Sequence, residues 1–276
     1  MKKKKITVGN FIVLIVLLLV LFLMVYPFLW MLVTAFKSEA DIRSFPPVLF
    51  SGNYTLDNFT NIWSRIPFMA YYKNTLIFAG AVTALSILFD SMSGYAFARL
   101  HFKGRDMLFT LVLITLMIPF QVIMVPLYSE LFDLKLLNTY AGLVLPRASN
   151  AFGIFMMRQF FVSLPVGLEE AARIDGCTEF QIYKKIMMPL CKPAVVTLLI
   201  FHFMFNWNDL LYPLIIATRP SMKTLAAGLA SFMGTHVVEY GIIMAGSVLS
   251  LLPIFIAYCL AQKSFVQGIA MTGMKG

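Results

Sequence analysis

Residues 11–36 read FIVLIVLLLVLFLMVYPFLWMLVTAF, 26 consecutive positions without Asp, Glu, Lys, Arg or His. About 20 apolar residues suffice for a helix to cross a bilayer's hydrocarbon core. Met107–Ser129 and Tyr240–Gln262 are likewise free of charge over 23 residues each. Three more stretches, about 73–98, 140–162 and 194–218, are apolar but interrupted by Asp90, Arg147, Arg158, His202 and Asp209. The expected fold is an all-α membrane protein with six transmembrane helices. Composition agrees: 60% hydrophobic residues, 13% charged and a mean hydropathy of +0.83 give far more apolar surface than a soluble core of 276 residues needs.

An even number of spans puts both termini on one side, and basic residues mark the cytosolic side. Lys2–Lys5, Arg99, Lys103, Arg105, Arg158, the basic residues of 163–193, Lys263 and Lys275 make 14 of the 22 Lys and Arg. Both termini are therefore expected in the cytosol, with tails at 1–10 and 263–276, one transmembrane domain at 11–262 and an inner loop at 163–193. The net charge of +9 is explained by this clustering beside span ends, and no nucleic-acid motif competes with it. The basic start followed by an apolar run resembles a signal peptide, but the run is too long and lacks a small-x-small site, so an uncleaved anchor is expected. Cys177, Cys191 and Cys259 form no C-x-x-C pair, which leaves them as packing residues. No G-x-x-x-x-G-K-[ST] phosphate loop is present, so any ATP used is bound by another chain.

The outer segments fall at about 37–72, 130–139 and 219–239. In the first, Pro46-Pro47, Ser51-Gly52-Asn53 and Asn58 read as turns, and Leu56, Phe59, Ile62 and Trp63 predict a short amphipathic interfacial helix.

The inner loop from Ser163 to Cys191 predicts two short helices. Pro165 is placed for a helix start, Glu169 and Glu170 fall in the first turn where the helix dipole favours carboxylates, and Gly176 offers a left-handed stop. Thr178 opens a T-x-x-Q capping box with Gln181, and Pro189 is expected to end the second helix. The small side chains of Ala171, Ala172 and Gly176 permit close approach of a partner surface. On physical grounds the loop either docks such a surface or lies on the headgroups.

The pattern Glu170-Ala171-Ala172, three residues, Gly176, nine residues, Ile186-x-Met188-Pro189 resembles the signature of ABC importer membrane subunits, with Met188 where that family usually has Leu. Tyr95–Arg99 ahead of Phe102–Arg105, Phe152–Phe155 with Arg158–Phe161, Trp207-Asn208-Asp209 and the terminal Lys275-Gly276 extend the resemblance along most of the chain. They are similar to the MalG-type permeases of carbohydrate importers. The resemblance implies a type I ABC importer permease fold in a bacterial inner membrane, with Glu170–Gly176 as a coupling helix. Glu170 would be the charged anchor, Ala171 and Ala172 the close-packed face and Gly176 the turn, with Asp175, Ile186 and Pro189 completing the ATPase-coupling set. It also implies a second permease, two ATPase subunits that hold ATP and Mg, and an extracytoplasmic solute-binding protein that docks on 37–72. No cofactor is expected on this chain.

Within the fifth span His202, Asn206 and Asp209 share a helical face, beside Trp207 and Asn208. At ~1.5 Å per residue from Pro193, Asn206 and Asp209 lie about 20–24 Å in, beyond the midplane of a ~30 Å core. Asn and Asp groups with the flat rings of Trp207 and Tyr212 suit a hydroxyl-rich ligand. They equally suit helix-to-helix glue or a gate. Asp90 is expected to pair with Arg99 or reach the headgroups, and Arg147 either snorkels or faces an anionic solute. His101 and His236 sit in loops without a ligand cluster, and no metal site is expected. Two rival functions are an ion-coupled secondary transporter, with His202 and Asp209 as proton relay, and a membrane enzyme. The absence of G-x-S-x-G and of a Cys-His arrangement speaks against the second.

Overall fold

The computed structural model describes residues 8–46, 48, 50–235 and 238–273. Lys2–Lys5, Pro47, His236, Lys275 and Gly276 lie outside the described residues. The described chain is helical apart from loops and a single antiparallel bridge between Lys37 and Tyr54. It divides into two compact units, Met1–Phe68 with Leu229–Leu252, and Met69–Gly228 with Pro253–Gly276.

In the first unit, α1 (Val8–Ala35) begins three residues earlier than the sequence predicts and is exposed along its apolar run. It leads through α2 (Glu39–Ile42) to α3 (Asp57–Arg65), the predicted amphipathic helix. Asn58 is not in a turn but in the first turn of α3, where its Nδ2 donates to the carbonyls of Ala35 and Lys37 at 2.9 and 2.8 Å. The first bond satisfies the last carbonyl of α1, which has no helical partner, and the second that of Lys37 just past the helix end.

The second unit is organised along α4 (Phe68–Arg99), 32 residues and so ~48 Å long. One core at its N-terminal end gathers Phe78, Val82, Leu143, Tyr212 and Ile216, and another at its C-terminal end gathers Tyr95, Met157, Phe161, Ala172 and Tyr183.

Several expected spans are broken. In place of one helix at 107–129 stand α5 (Arg105–Thr115) and α6 (Phe120–Asp133), meeting at 97°. Pro119 lies at that break; it has no N–H to donate and restricts Ile118 before it. The stretch 140–162 becomes α7 (Tyr140–Val144), a single 3₁₀ turn at Leu145–Arg147, and α8 (Ala151–Ser163), which Asn150 caps by accepting from Phe152 N–H at 2.8 Å. Then come α9 (Gly167–Ile174), α10 (Glu179–Ile182), a π-type turn at Tyr183–Met187 and α11 (Met188–Leu190). The stretch 194–218 becomes α12 (Lys192–Trp207) and α13 (Leu211–Ile216). The chain ends in α14 (Leu225–Thr235) and α15 (Tyr240–Gly273), which continues past the predicted limit at 262. Among the described residues two helices cross a membrane's width unbroken by length and composition, and up to five do if each bent pair counts as one.

Candidate functional site

The segment α9 to α11 turns away from its neighbouring helices by 79° at its start and 80° at its end. Its local structure follows the sequence closely. Glu169 and Glu170 occupy the first turn of α9. Gly176 takes φ +80°, a left-handed conformation that costs an L side chain strain, and reverses the chain into α10. The capping box forms: Thr178 N–H donates to Gln181 Oε1 at 2.8 Å, and Gln181 N–H donates to Thr178 Oγ1 at 3.3 Å.

Pro189 lies one residue before the end of the second helix. It sits inside α11, and the chain bends at Cys191. Pro189 cannot donate to the carbonyl four residues back, and the helix widens just before it, with Met188 N–H bonding to the Tyr183 carbonyl five residues back.

Behind α9 lies a lattice of charges, of which the Glu169–Arg173 pair, four residues apart on one helix, is the part that local spacing reveals. Arg99 Nη2 donates to the carbonyls of Phe161 and Leu164 at 2.5 and 2.6 Å, which hold the end of α8. Arg99 Nε lies 3.0 Å from Glu169 Oε1, with side-chain exposures of 8% and 2%. Glu169 also meets Arg173 at 3.4 Å, Arg173 Nε donates to Glu179 Oε1 at 2.8 Å, and Tyr95 OH donates to Glu179 Oε2 at 2.9 Å. The hydrogen bond from Arg173 holds the Glu179 carboxyl below the ordinary glutamate range, and the same contact raises Arg173. Ser91 Oγ and Tyr183 OH share a hydrogen bond of 2.7 Å, which ties α4 to the π-type turn.

The outward face of α9 and α10 carries Glu170, Ala171, Ile174, Asp175 and Phe180, with Ile174 87% and Phe180 60% exposed. Ala172 is a correction: it is buried in this chain's own core against α8 and the π-type turn, so of the alanine pair only Ala171 is open to a partner. Ile186 is half-buried against the same core.

The polar residues of the spans sort differently. Asp90 pairs with neither Arg99 nor headgroups. It is fully buried, accepts from Ser149 Oγ at 2.7 Å and Asn150 N–H at 2.9 Å, and meets His202 Nε2 at 3.2 Å. A Cβ on Gly153 would stand 1.9 Å from Asp90 Oδ2, so only glycine permits this approach. His202 therefore pairs with Asp90, not Asp209, although sequence spacing put His202 and Asp209 on one face. Arg147 forms an ion pair with Asp209, its guanidinium 4.8 Å from the ring centres of both Phe120 and Tyr212. Arg147 thus neither snorkels nor stands as a free cation for an anionic solute. Asp209 also accepts from Tyr212 N–H, and Tyr212 OH donates to the Gly142 carbonyl. The pair joins the break after α7 to the break after α12, and Ser86 Oγ donates to the Arg147 carbonyl at 3.3 Å.

Trp207 and Tyr212 are buried, with Trp207 edge-on to Tyr72 at 5.6 Å, so within this chain their ring faces are packing surfaces rather than stacking platforms. Asn206 Nδ2 donates to the His202 carbonyl at 2.7 Å. Of the polar group at the end of α12, Asn208 is exposed and Asp209 is partly so.

The pattern of the family described as binding-protein-dependent transport system inner membrane component matches residues 90–270. The chain is 36% identical, over the whole of both chains, to the arabinooligosaccharides transport system permease protein of Halalkalibacterium halodurans. It is 34% identical to the lactose transport system permease protein of Rhizobium radiobacter over 92% of each chain. Its identity to the sn-glycerol-3-phosphate transport system permease protein of Escherichia coli is 32%, covering 88% of this chain and 90% of that one. Among solved structures, a bacterial ABC transporter involved in the import of the acidic polysaccharide alginate contains a chain of the same fold, with a TM-score of 0.82 and 23% identity over 95% of this chain and 98% of that one. Sequence and fold agree that this chain is a membrane protein and belongs to the binding-protein-dependent transport system inner membrane component family.

Proposed function

We propose that this chain is the membrane-spanning subunit of an ATP-driven, solute-binding-protein-dependent importer of a di- or oligosaccharide, forming half of the translocation pathway beside a second, similar permease. It is a transport component, not an enzyme; ATP and Mg belong to two separate ATPase subunits. The relatives named for arabinooligosaccharide and lactose transport support the carbohydrate assignment. Six crossings follow if α1, α4, α5 with α6, α7 with α8, α12 with α13, and α15 each traverse the bilayer, which puts both termini on one side, and the clustering of basic residues makes that side the cytosol.

The observation that carries the reading is α9. It presents Glu170, Ala171, Ile174 and Asp175 outward while Glu169 and Arg99 anchor it from behind. A helix held this way passes a push from an ATPase cleft into α4 and α8, because packed interiors switch between discrete arrangements rather than yield smoothly. Gentle purification from native membranes should recover a second permease and a phosphate-loop ATPase. A cysteine at Ala171 should cross-link to that ATPase. A homo-oligomer without any ATPase, competent for uptake after reconstitution, would overturn the proposal in favour of an ion-coupled transporter.

A further inference from the structure

Lys37 is 2% exposed, just beyond the end of α1, and is held there by its backbone: its N–H donates to Thr34, its carbonyl accepts from Asn58, and it bridges to Tyr54. Its ammonium has a single hydrogen-bond acceptor among the described residues, the Val48 carbonyl at 2.5 Å, and lies 4.8 Å from the centre of the Trp30 ring. Every Asp and Glu of the chain is among the described residues, and none forms an ion pair with Lys37. A buried ammonium without an anion is costly, and buried charges are ordinarily paired.

Beside this ammonium is a cavity of about 230 Å³ lined by Trp30, Thr34, Lys37, Asp41, Val48 and Tyr240 among others. Thr34 is 5% exposed, and its Oγ1 is buried without a hydrogen-bond partner among the described residues. A cation and an idle hydroxyl thus share one cavity. Asp41, on the same wall, engages Ser51 through Oδ2. The cavity's place is equally specific: Gly9–Ala35 of α1 is a strongly apolar stretch of 27 residues, ~40 Å of helix, so its end reaches the headgroup layer, where Trp and Tyr concentrate.

We propose that this cavity holds the headgroup of an amine-bearing phospholipid, with the phosphate between Lys37 Nζ and Thr34 Oγ1 and the amine facing Asp41. The phosphate supplies the anion that Lys37 lacks, with charge-assisted hydrogen bonds of the strong kind. The carboxylate of Asp41 favours a zwitterionic headgroup over a purely anionic one.

The test uses the assembled transporter in detergent, with lipids counted by native mass spectrometry and thermal stability followed after delipidation. Wild type should retain a phosphatidylethanolamine that Lys37→Met loses and Lys37→Arg keeps, and Thr34→Val should bind it roughly tenfold more weakly. Asp41→Asn should lose the preference for phosphatidylethanolamine over phosphatidylglycerol. Identical lipid retention in wild type and Lys37→Met, or no retained phospholipid in wild type, would overturn the site. Stabilisation by millimolar inorganic phosphate equal to that by the lipid would overturn the headgroup assignment in favour of a dissolved anion.

Discussion

Arg99 and Glu169, 70 positions apart, meet at 3.0 Å where both side chains are buried, while the neighbouring Glu170 stands in the open. The contact is an ionic one rather than an aligned hydrogen bond, since neither Arg99 Nε nor Glu169 Oε1 has a hydrogen-bond partner of good geometry. Two adjacent glutamates of one helix turn are thereby assigned opposite tasks.

Glu169→Ala leaves a buried guanidinium without its anion, which typically costs about 3–5 kcal/mol. Thermal unfolding of the assembled transporter should show a clear loss for Glu169→Ala. Glu170→Ala, at an exposed position, should stay within about 0.5 kcal/mol of wild type yet uncouple ATP hydrolysis from uptake. Equal stability of the two variants would contradict the assignment.

The Glu179–Arg173 contact gives a pH dependence of known sign. Arg173 lowers the folded-state pKa of Glu179, so the stabilisation is fully present above the ordinary glutamate pKa, about 4.3, and is lost as pH falls through the lower folded value. The stability gap between wild type and Glu179→Gln should hold from pH 8 to 6 and close at acid pH. A gap that widens on acidification would refute this account.

Gly176 has open space around its missing Cβ, so a substitution there is penalised by its φ of +80° alone. Gly176→Asn, which tolerates the left-handed region, should be milder than Gly176→Val, with the latter costing roughly 1–2 kcal/mol. Gly176→Pro should abolish transport while leaving membrane insertion intact. Uptake assays beside quantified membrane levels decide it.

Gly153→Ala should be severe for the opposite reason: its Cβ would collide with Asp90 1.9 Å away and crowd His202. Gly80→Ala, on the same kind of helix but in open space, is the control and should insert and transport normally. Similar membrane levels for both variants would show that the Asp90 cluster yields easily.

Arg147 and Asp209 should behave as a coupled pair. Arg147→Leu leaves a carboxylate unpaired, and Asp209→Leu leaves a guanidinium unpaired, whereas the double substitution removes both charges. A double-mutant cycle on thermal stability should return a coupling of about 1–3 kcal/mol. Additive losses would mean that the aromatic rings, not the ion pair, hold Arg147.

How much of this was legible depends on range along the chain. Length and charge give α1 outright, and the Thr178–Gln181 box and the Gly176 turn are local chemistry that formed as read. Pro189 reads as the end of the second helix, and the observed end falls one residue later, at Leu190, because the preceding turn widens and tolerates the missing N–H. The pairs Arg99–Glu169, Arg147–Asp209 and Asp90–His202 were missed because a charge in an apolar stretch announces that it needs a partner without saying which. The adjacent acids of α9 read alike in the sequence, since both suit a helix's first turn, and only packing decides which of them turns inward. Breaks inside the third, fourth and fifth apolar stretches escaped a hydropathy reading, which registers greasiness and not direction.

Ser86, Asp90, Ser91, Tyr95 and Arg99 are the points at which α4 grips the break at Arg147–Asn150 on one side and the α9 to α11 segment on the other. Because they sit on one uninterrupted helix, their relative bearings are fixed by sequence number alone. Substitutions between them alter single contacts. One inserted or deleted residue anywhere from Ser86 to Arg99 would instead swing every later grip by about 100°, detaching one set of contacts from the other. This stretch of α4 is therefore a ruler whose length, more than its composition, is under constraint.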